Sequence, residues 1–389
     1  MKAFTIPSSN LDAEQLRRQL DQNLTLVSHP TWTLIYAVQD FPVGMLMDAL
    51  AMTHGGLPTF GATSFRGVFT AAGFTRGAAL LVGEADDRVR AQVALERTGP
   101  REARSRAKEA CRTLRRQLDR NPTALLLHAT PGFEERLLEG IEDAFGGSVP
   151  VYGGSAADDT IEGNWKVFAN GEEAGEGFVL AAFASRQPIR GAFMSGYLPT
   201  EHSGIVTRVD GRTVLEINRR PAAAVYNEWT QGAISEELEG GGNILLKTNL
   251  YPVGRVVGES LGMPTRLLSH PCEVVGKNQA LKFFSEFEGG DQITLMTATK
   301  GSLVKRTGKA VGRALGGDRS RLQGGLFVYC GGCVGMLLDQ ADTIAQDFGT
   351  EVGTMPFVGV ATFGEQGCLT GKRNINRHGN LMCSTMLFG

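Results

Sequence analysis

Residues 150–159 read "PVYGGSAADD": an apolar run ends in Gly153, Gly154 and Ser155, and the acids Asp158 and Asp159 follow. Glycines before a hydroxyl suggest a phosphate cradle, whereas paired carboxylates suggest a metal or an acid/base dyad. A phosphate loop should open a helix whose N-terminal N–H groups hold the anion, with Lys or Arg nearby. The chain instead continues "TIEGNWKVFANGEEAGEGFVLAAF", which alternates as strand, turn, strand. Gly153 and Gly154 therefore read as a strand end that needs glycine's backbone freedom. Adjacent side chains of an extended chain point to opposite faces, so Asp158 and Asp159 make a poor dyad. At most one is expected to face a pocket, as partner for a ligand amine, while the other caps the turn. The stretch is a ligand rim rather than a catalytic loop.

Three more places carry reactive residue types. "CGGC", Cys330 to Cys333, follows an apolar run and precedes a helical stretch, where the N-terminal dipole stabilises a thiolate. A structural zinc site needs a second close ligand pair, and the sequence has none. Cys330 is read instead as a ligand-facing position, because loops at strand C-termini are where open α/β sheets hold ligands. Glu365 in "FGEQG" and Arg373 in "GKRN" flank a C-terminal turn that corresponds to 153–159. His378 sits in "NINRHGNLM", a polar turn before a terminal apolar strand. Its imidazole can hold haem iron, meet a ligand carboxylate or simply bond to backbone. His128, at the end of a buried strand, is the next candidate. No Ser/His/Asp order, HExxH or GxSxG appears, so the chain does not read as an enzyme; the enzyme alternative is an unknown reaction using Cys330 or Asp158.

The elements that position these residues recur. Segments 33–64, 124–159 and 325–365 each open with a continuous apolar run, as a strand buried on both faces would. Each passes through an amphipathic helical stretch closed by glycine, then a proline, then a second apolar run ending in a glycine-rich turn. "VGMLMDAL" in the first copy and "VGMLLDQA" in the third share five of eight positions. Residues 89–130 and 293–332 both read as strand, helix, loop, buried strand. The expected fold class is α/β, with internally repeated strand-helix-strand units in two related domains of mixed sheets covered by helices. "GIVTRVDGRTVLEIN" predicts a hairpin about Asp210-Gly211, and Pro221 opens a helix. The domains are placed at 28–218 and 219–389.

At 389 residues, with 42% hydrophobic residues and a formal charge of -2, the chain can build two cores and advertises neither nucleic acid nor an anionic membrane as partner. The basic run at 101–117 lacks interleaved aromatics and reads as a solvated helix face. No apolar stretch approaches the roughly 20 residues of a membrane span, and the N-terminus lacks a secretory h-region. With six thinly spread cysteines, free thiols in the cytoplasm are expected.

Taken in order, the Gly-Gly-Ser-Ala-x-Asp-Asp turn at 153–159, "VTRVDGRTVLEINRRPA" at 206–222, "GVATFGEQG" at 359–367 and "NRHGNLM" at 376–382 resemble the FIST family. These are prokaryotic sensory proteins with an N-terminal and a C-terminal FIST domain, and the resemblance runs from about Ser28 to Phe388. It implies a small-ligand sensor, with amino acids among the suggested ligands, whose output passes to a separate signalling protein such as a histidine kinase. One subgroup binds haem and senses nitric oxide. If this chain belongs to it, His378 is the expected iron ligand. No other cofactor is expected.

Overall fold

A computed structural model describes the chain apart from residues 9–11, 54, 85–88, 119, 261–262, 277–278 and 370–373. Arg373 is thus outside the described residues. The fold is mixed α/β, with three six-stranded sheets and one of nine strands among the described residues.

Each six-stranded sheet is centred on one of the three repeated units. Strands Pro30–Val38 and Thr59–Ser64 are joined by helix Val43–Thr53. Strands Ala124–Ala129 and Val151–Ser155 are joined by helix Glu134–Phe145. Strands Gly324–Cys330 and Phe357–Thr362 are joined through helices Gly331–Met336 and Ala341–Val352. In all three the two strands are parallel neighbours, as their continuous apolar runs require. The second unit's helix ends on Gly146, left-handed at φ 60°, and carries Glu134 and Glu135 in its first turn, where the helix dipole favours acids.

The same position of the second strand is glycine in every unit: Gly61, Gly153 and Gly359. A methyl group on Gly153 would lie 1.8 Å from the Leu127 carbonyl oxygen, and φ there is 146°. These glycines meet a strand from elsewhere in the chain. The hairpin after the first unit (Val68–Thr75) adds to the third sheet, pairing Phe69 with Gly359. The hairpin after the second (Val167–Ala174) adds to the first, pairing Phe168 with Gly61. The hairpin after the third (Glu365–Gly379) adds to the second, pairing Gln366 with Gly153. The exchange is cyclic, so each sheet is completed by another unit. Asp342 on the third unit's long helix fastens one such hairpin by accepting the Phe74 N–H at 2.7 Å.

The inner faces of the three sheets share one core, in which Trp32, Tyr36, Phe60, Leu126, Phe183, Val328 and Phe388 are fully or almost fully buried. Their outer faces pack against helices in three separate cores. On the far side of each unit's first strand, an antiparallel strand and then an edge strand follow. The edge strands are Lys2–Pro7, Val89–Glu96 and Ile189–Met194. The place that sequence pattern assigns to residues near 293 is therefore taken by Ile189–Met194. Strand Gln292–Thr297 instead pairs with Leu198–Asp210 and Val253–Ser260 in the nine-stranded sheet. The pairing of Leu198 with Thr297 brings the ends of this hundred-residue segment together, so it sits in the third repeat as an insertion. The hairpin about Asp210-Gly211 forms as expected, and Pro221 precedes helix Ala222–Trp229. No helix among the described residues is long and apolar enough to cross a membrane.

Candidate functional site

A cleft of about 1230 Å³ opens where three parts of the chain converge. Helix Glu134–Phe145 supplies Glu135, Glu139 and Glu142; the inserted segment supplies Arg255, Glu286, Phe287 and Asp291; the exchanged hairpin supplies Arg377 and His378.

The wall between them is a continuous polar chain. Arg212, the second of the two turn residues between paired Asp210 and Thr213, donates from Nη2 to Glu134 (2.8 Å) and to Glu135 (2.6 Å). Glu135 also accepts the Glu286 N–H at 2.9 Å. Behind them, Ser155 Oγ donates to Glu134 at 2.7 Å, and Gln366 Nε2 reaches both Ser155 Oγ and His378 Nδ1 at 3.2 Å. One ligating atom from each of Glu134, Glu135 and His378 lies within 4.8 Å of the other two. Arg212 already fills the space between the carboxylates, so a metal there would have to displace it.

Burial alone would raise the Glu134 carboxyl, but His378, Arg212 and the Ser155 hydroxyl pull it down to about 2. Arg212 is held high, to a value beyond its usual range, by the same two glutamates against the opposing effect of burial. Glu286 is raised by burial and by Glu135 beside it. Arg377 is lowered by burial and by Arg255. Glu286 and Arg377 both line the cleft with their charged forms disfavoured by burial and a like charge, which suits a ligand that brings compensating charge.

The residues singled out by sequence are distributed unevenly. Ser155 and His378 meet Glu134 in the polar wall. Gly153 and Gly154 lie within the sheet rather than on the cleft surface, since their close backbone approach is what the strand pairing needs. Asp158 is buried and caps the loop, accepting the N–H groups of Ile161, Glu162 and Asn164. Asp159 accepts the Arg66 N–H at 2.7 Å and pairs with Arg76 at 2.7 Å. Neither aspartate lines the cleft, because backbone donors and Arg76 already take both charges. His128 is a core histidine: Tyr36 Oη lies 3.1 Å from Nε2 and Gly154 O lies 2.8 Å from Nδ1, and burial lowers it to about 4.

Glu365 follows the alternation of its strand to the face opposite Gln366. It is fully buried, accepting the Met382 N–H (2.8 Å) and the Thr362 hydroxyl (3.1 Å), and burial raises it to about 8. The 153–159 and "FGEQG" turns are thus joined as neighbouring strands, while the hairpin's second strand reaches the cleft. Glu365 belongs to a second cluster with Cys330, Cys333, Arg306, Tyr197, Tyr329 and Cys383, so neither it nor Cys330 lines the cleft. Arg306 is completely buried and stacks over the Tyr329 ring at 3.9 Å.

Glu134, Arg212, Gln366 and Arg306 carried no sequence signal of this kind. Acids opening a helix and an arginine beside a turn are ordinary local features, and only long-range packing brings them together.

The FIST N domain matches residues 31–220, and the FIST C domain matches residues 222–368. None of the curated proteins matches the chain.

Proposed function

The chain belongs to the FIST family, and from that membership we propose that it is a sensory protein whose small ligand occupies the cleft at Glu135, Glu286, Arg377 and His378. FIST domains are generally associated with small-ligand sensing in signal transduction and are typically sensory rather than enzymatic. The observation that carries the reading is the position of the cleft. A ligand there touches the second unit's helix, the exchanged hairpin of the third unit and the inserted sheet at once. Binding can therefore bias how these three parts sit against one another, through contacts that differ between the two arrangements. The output passes to a separate protein, for which a histidine kinase is the proposed type, and the site of action is the cytoplasm.

Haem is the second reading, favoured by one observation. His378 is buried, lines the cleft and has an Nε2 with no hydrogen-bond partner. The cleft offers this donor, the cations Arg255 and Arg377 and apolar Phe287 and Ile375, but the carboxylates of Glu135, Glu139, Glu142, Glu286, Glu288 and Asp291 weigh against an anionic porphyrin. The apolar strands that include Cys330 and Cys383 lie in the core of the third sheet and do not wall the cleft.

Thermal-shift screening of amines, carboxylates and zwitterions against the purified protein tests the first reading. A ligand that stabilises the wild type should lose its effect in Glu135→Gln or Arg377→Met. Equal stabilisation of both variants would place its site elsewhere. An absorption spectrum after haem addition tests the second: a Soret band that is lost in His378→Ala supports it, and no uptake rejects it.

A further inference from the structure

We propose that Cys330 and Cys333 form a buried dithiol that hydrogen peroxide closes to an intramolecular disulfide, with Arg306 as the fixed counter-cation of the reacting sulfur. The pair lies apart from the ligand cleft and does not depend on its occupant.

Arg306 creates the need for an anion here. It is fully buried, donates from Nη1 to the carbonyls of Ser195 (3.0 Å) and Leu381 (2.8 Å), and has no hydrogen-bond partner at Nε or Nη2. Among the described residues no carboxylate pairs with it within salt-bridge distance. A buried guanidinium without a counter-ion is costly, so an anion is expected close by. The titratable groups that face it are Cys333, Tyr329, Cys383 and Tyr197, and it also acts on Glu365 from further off.

Of these, Cys333 is the one whose thiol is drawn down towards the anion. Burial opposes a thiolate, but the Cys330 thiol and the Arg306 charge bring Cys333 down to about 6; the Tyr197 oxygen, whose proton goes to Asn249 O, lies 3.5 Å from Sγ. Cys330 is held well above the usual thiol range by Cys333 beside it and by burial. Burial keeps Glu365 protonated below about 8, and Cys383 is pushed up to about 12. The tyrosines are raised further still. The thiolate is therefore assigned to Cys333, in the first turn of the short helix, rather than to the N-cap Cys330.

The chemistry balances with a water-sized oxidant. The Cys333 sulfur attacks one oxygen of hydrogen peroxide, the O–O bond breaks, and hydroxide leaves as water with a proton from solvent. Cys330 sulfur then attacks the sulfenic sulfur, its own proton leaving with the hydroxyl as a second water. Two thiols and one peroxide become a disulfide and two waters. The closed pair has no negative charge, while Arg306 keeps its own. Tyr197 touches Cys333 and bonds to Asn249 O at 2.7 Å, so the loss of the anion is felt within the inserted segment.

Peroxide treatment of the folded full-length protein, followed by intact mass and peptide mapping, tests this. The expected result is the loss of two hydrogens and a Cys330–Cys333 cross-link, with Cys111, Cys272, Cys368 and Cys383 free. Cys330→Ser should stop at a sulfenic acid on Cys333 that dimedone traps, and Cys333→Ser should give neither product. If the variants fail to fold, wild-type alkylation decides the matter: its rate should level off above about pH 6 at Cys333 alone. Six unoxidised thiols after treatment, a different pair, or ordinary thiol pH dependence at Cys333 would overturn the proposal.

Discussion

Replacing Arg212 by Met should loosen the polar wall in a way that depends on pH. Glu134 is almost fully buried, and Arg212 is its only salt-bridge partner among the described residues. A carboxyl held at about 2 instead of 4.5 has its ionised form favoured by ~3 kcal/mol. His378 and Ser155 supply part of this, but the loss of Arg212 also leaves a buried charge uncompensated. A cost of about 3 kcal/mol at neutral pH follows, within the range for breaking one side of a buried pair. For a chain this long it corresponds to a drop of about 4 °C in Tm. Linkage sets the sign. A depressed carboxyl contributes stability above its unfolded value of 4.5 and loses it as pH falls towards 2. In the variant burial is opposed by His378 and Ser155 without Arg212, so Glu134 takes up its proton earlier and the penalty shrinks on acidification. The gap between wild type and Arg212→Met should therefore shrink steadily from neutral pH into the acid range. Adding Glu134→Gln should recover part of the loss at neutral pH. Denaturant titrations across pH measure both effects. A gap that is constant with pH, or absent at neutral pH, would contradict this account of the wall.

Other expectations are simpler. Gly153→Ala should leave little soluble protein, because the added methyl would lie 1.8 Å from the Leu127 carbonyl, whereas Gly163→Ala, with nothing within 4 Å, should cost only about 1 kcal/mol from its positive φ. His128 and His270, lowered by burial to about 4 and about 3, stay neutral while the unfolded chain takes up protons; stability should fall as pH drops from 6.5 through these values, measured by denaturant unfolding. Glu365 works in the opposite sense: raised to about 8, it stays protonated in the fold while the unfolded chain ionises, so Glu365→Gln should gain on the wild type as pH rises from 4.5 to 8. Asp342→Ala, which leaves the Phe74 N–H without its acceptor, should cost about 1–2 kcal/mol in the same unfolding assay.

The building blocks of the fold were legible in the sequence alone. Continuous apolar runs marked the three pairs of parallel strands, glycine marked a helix end at Gly146, and Asp210-Gly211 marked a hairpin, because each is a local preference of backbone and side chain. Residue type and position also singled out His378 and Ser155, which the fold brings into the same polar wall. Pairing between distant strands was not legible. Nothing near Val68, Val167 or Glu365 indicates that each hairpin completes another unit's sheet, since a strand's edge can bond any complementary edge and the choice depends on the shared core. That choice also decided the chemistry. Strand alternation turned Gln366 towards Ser155 and Glu365 towards the cysteine cluster, and packing brought the buried Arg306 charge to act on Cys333. Local pattern assigns a residue to an element and a face; desolvation and the charges brought beside it by tertiary packing determine what that residue can do.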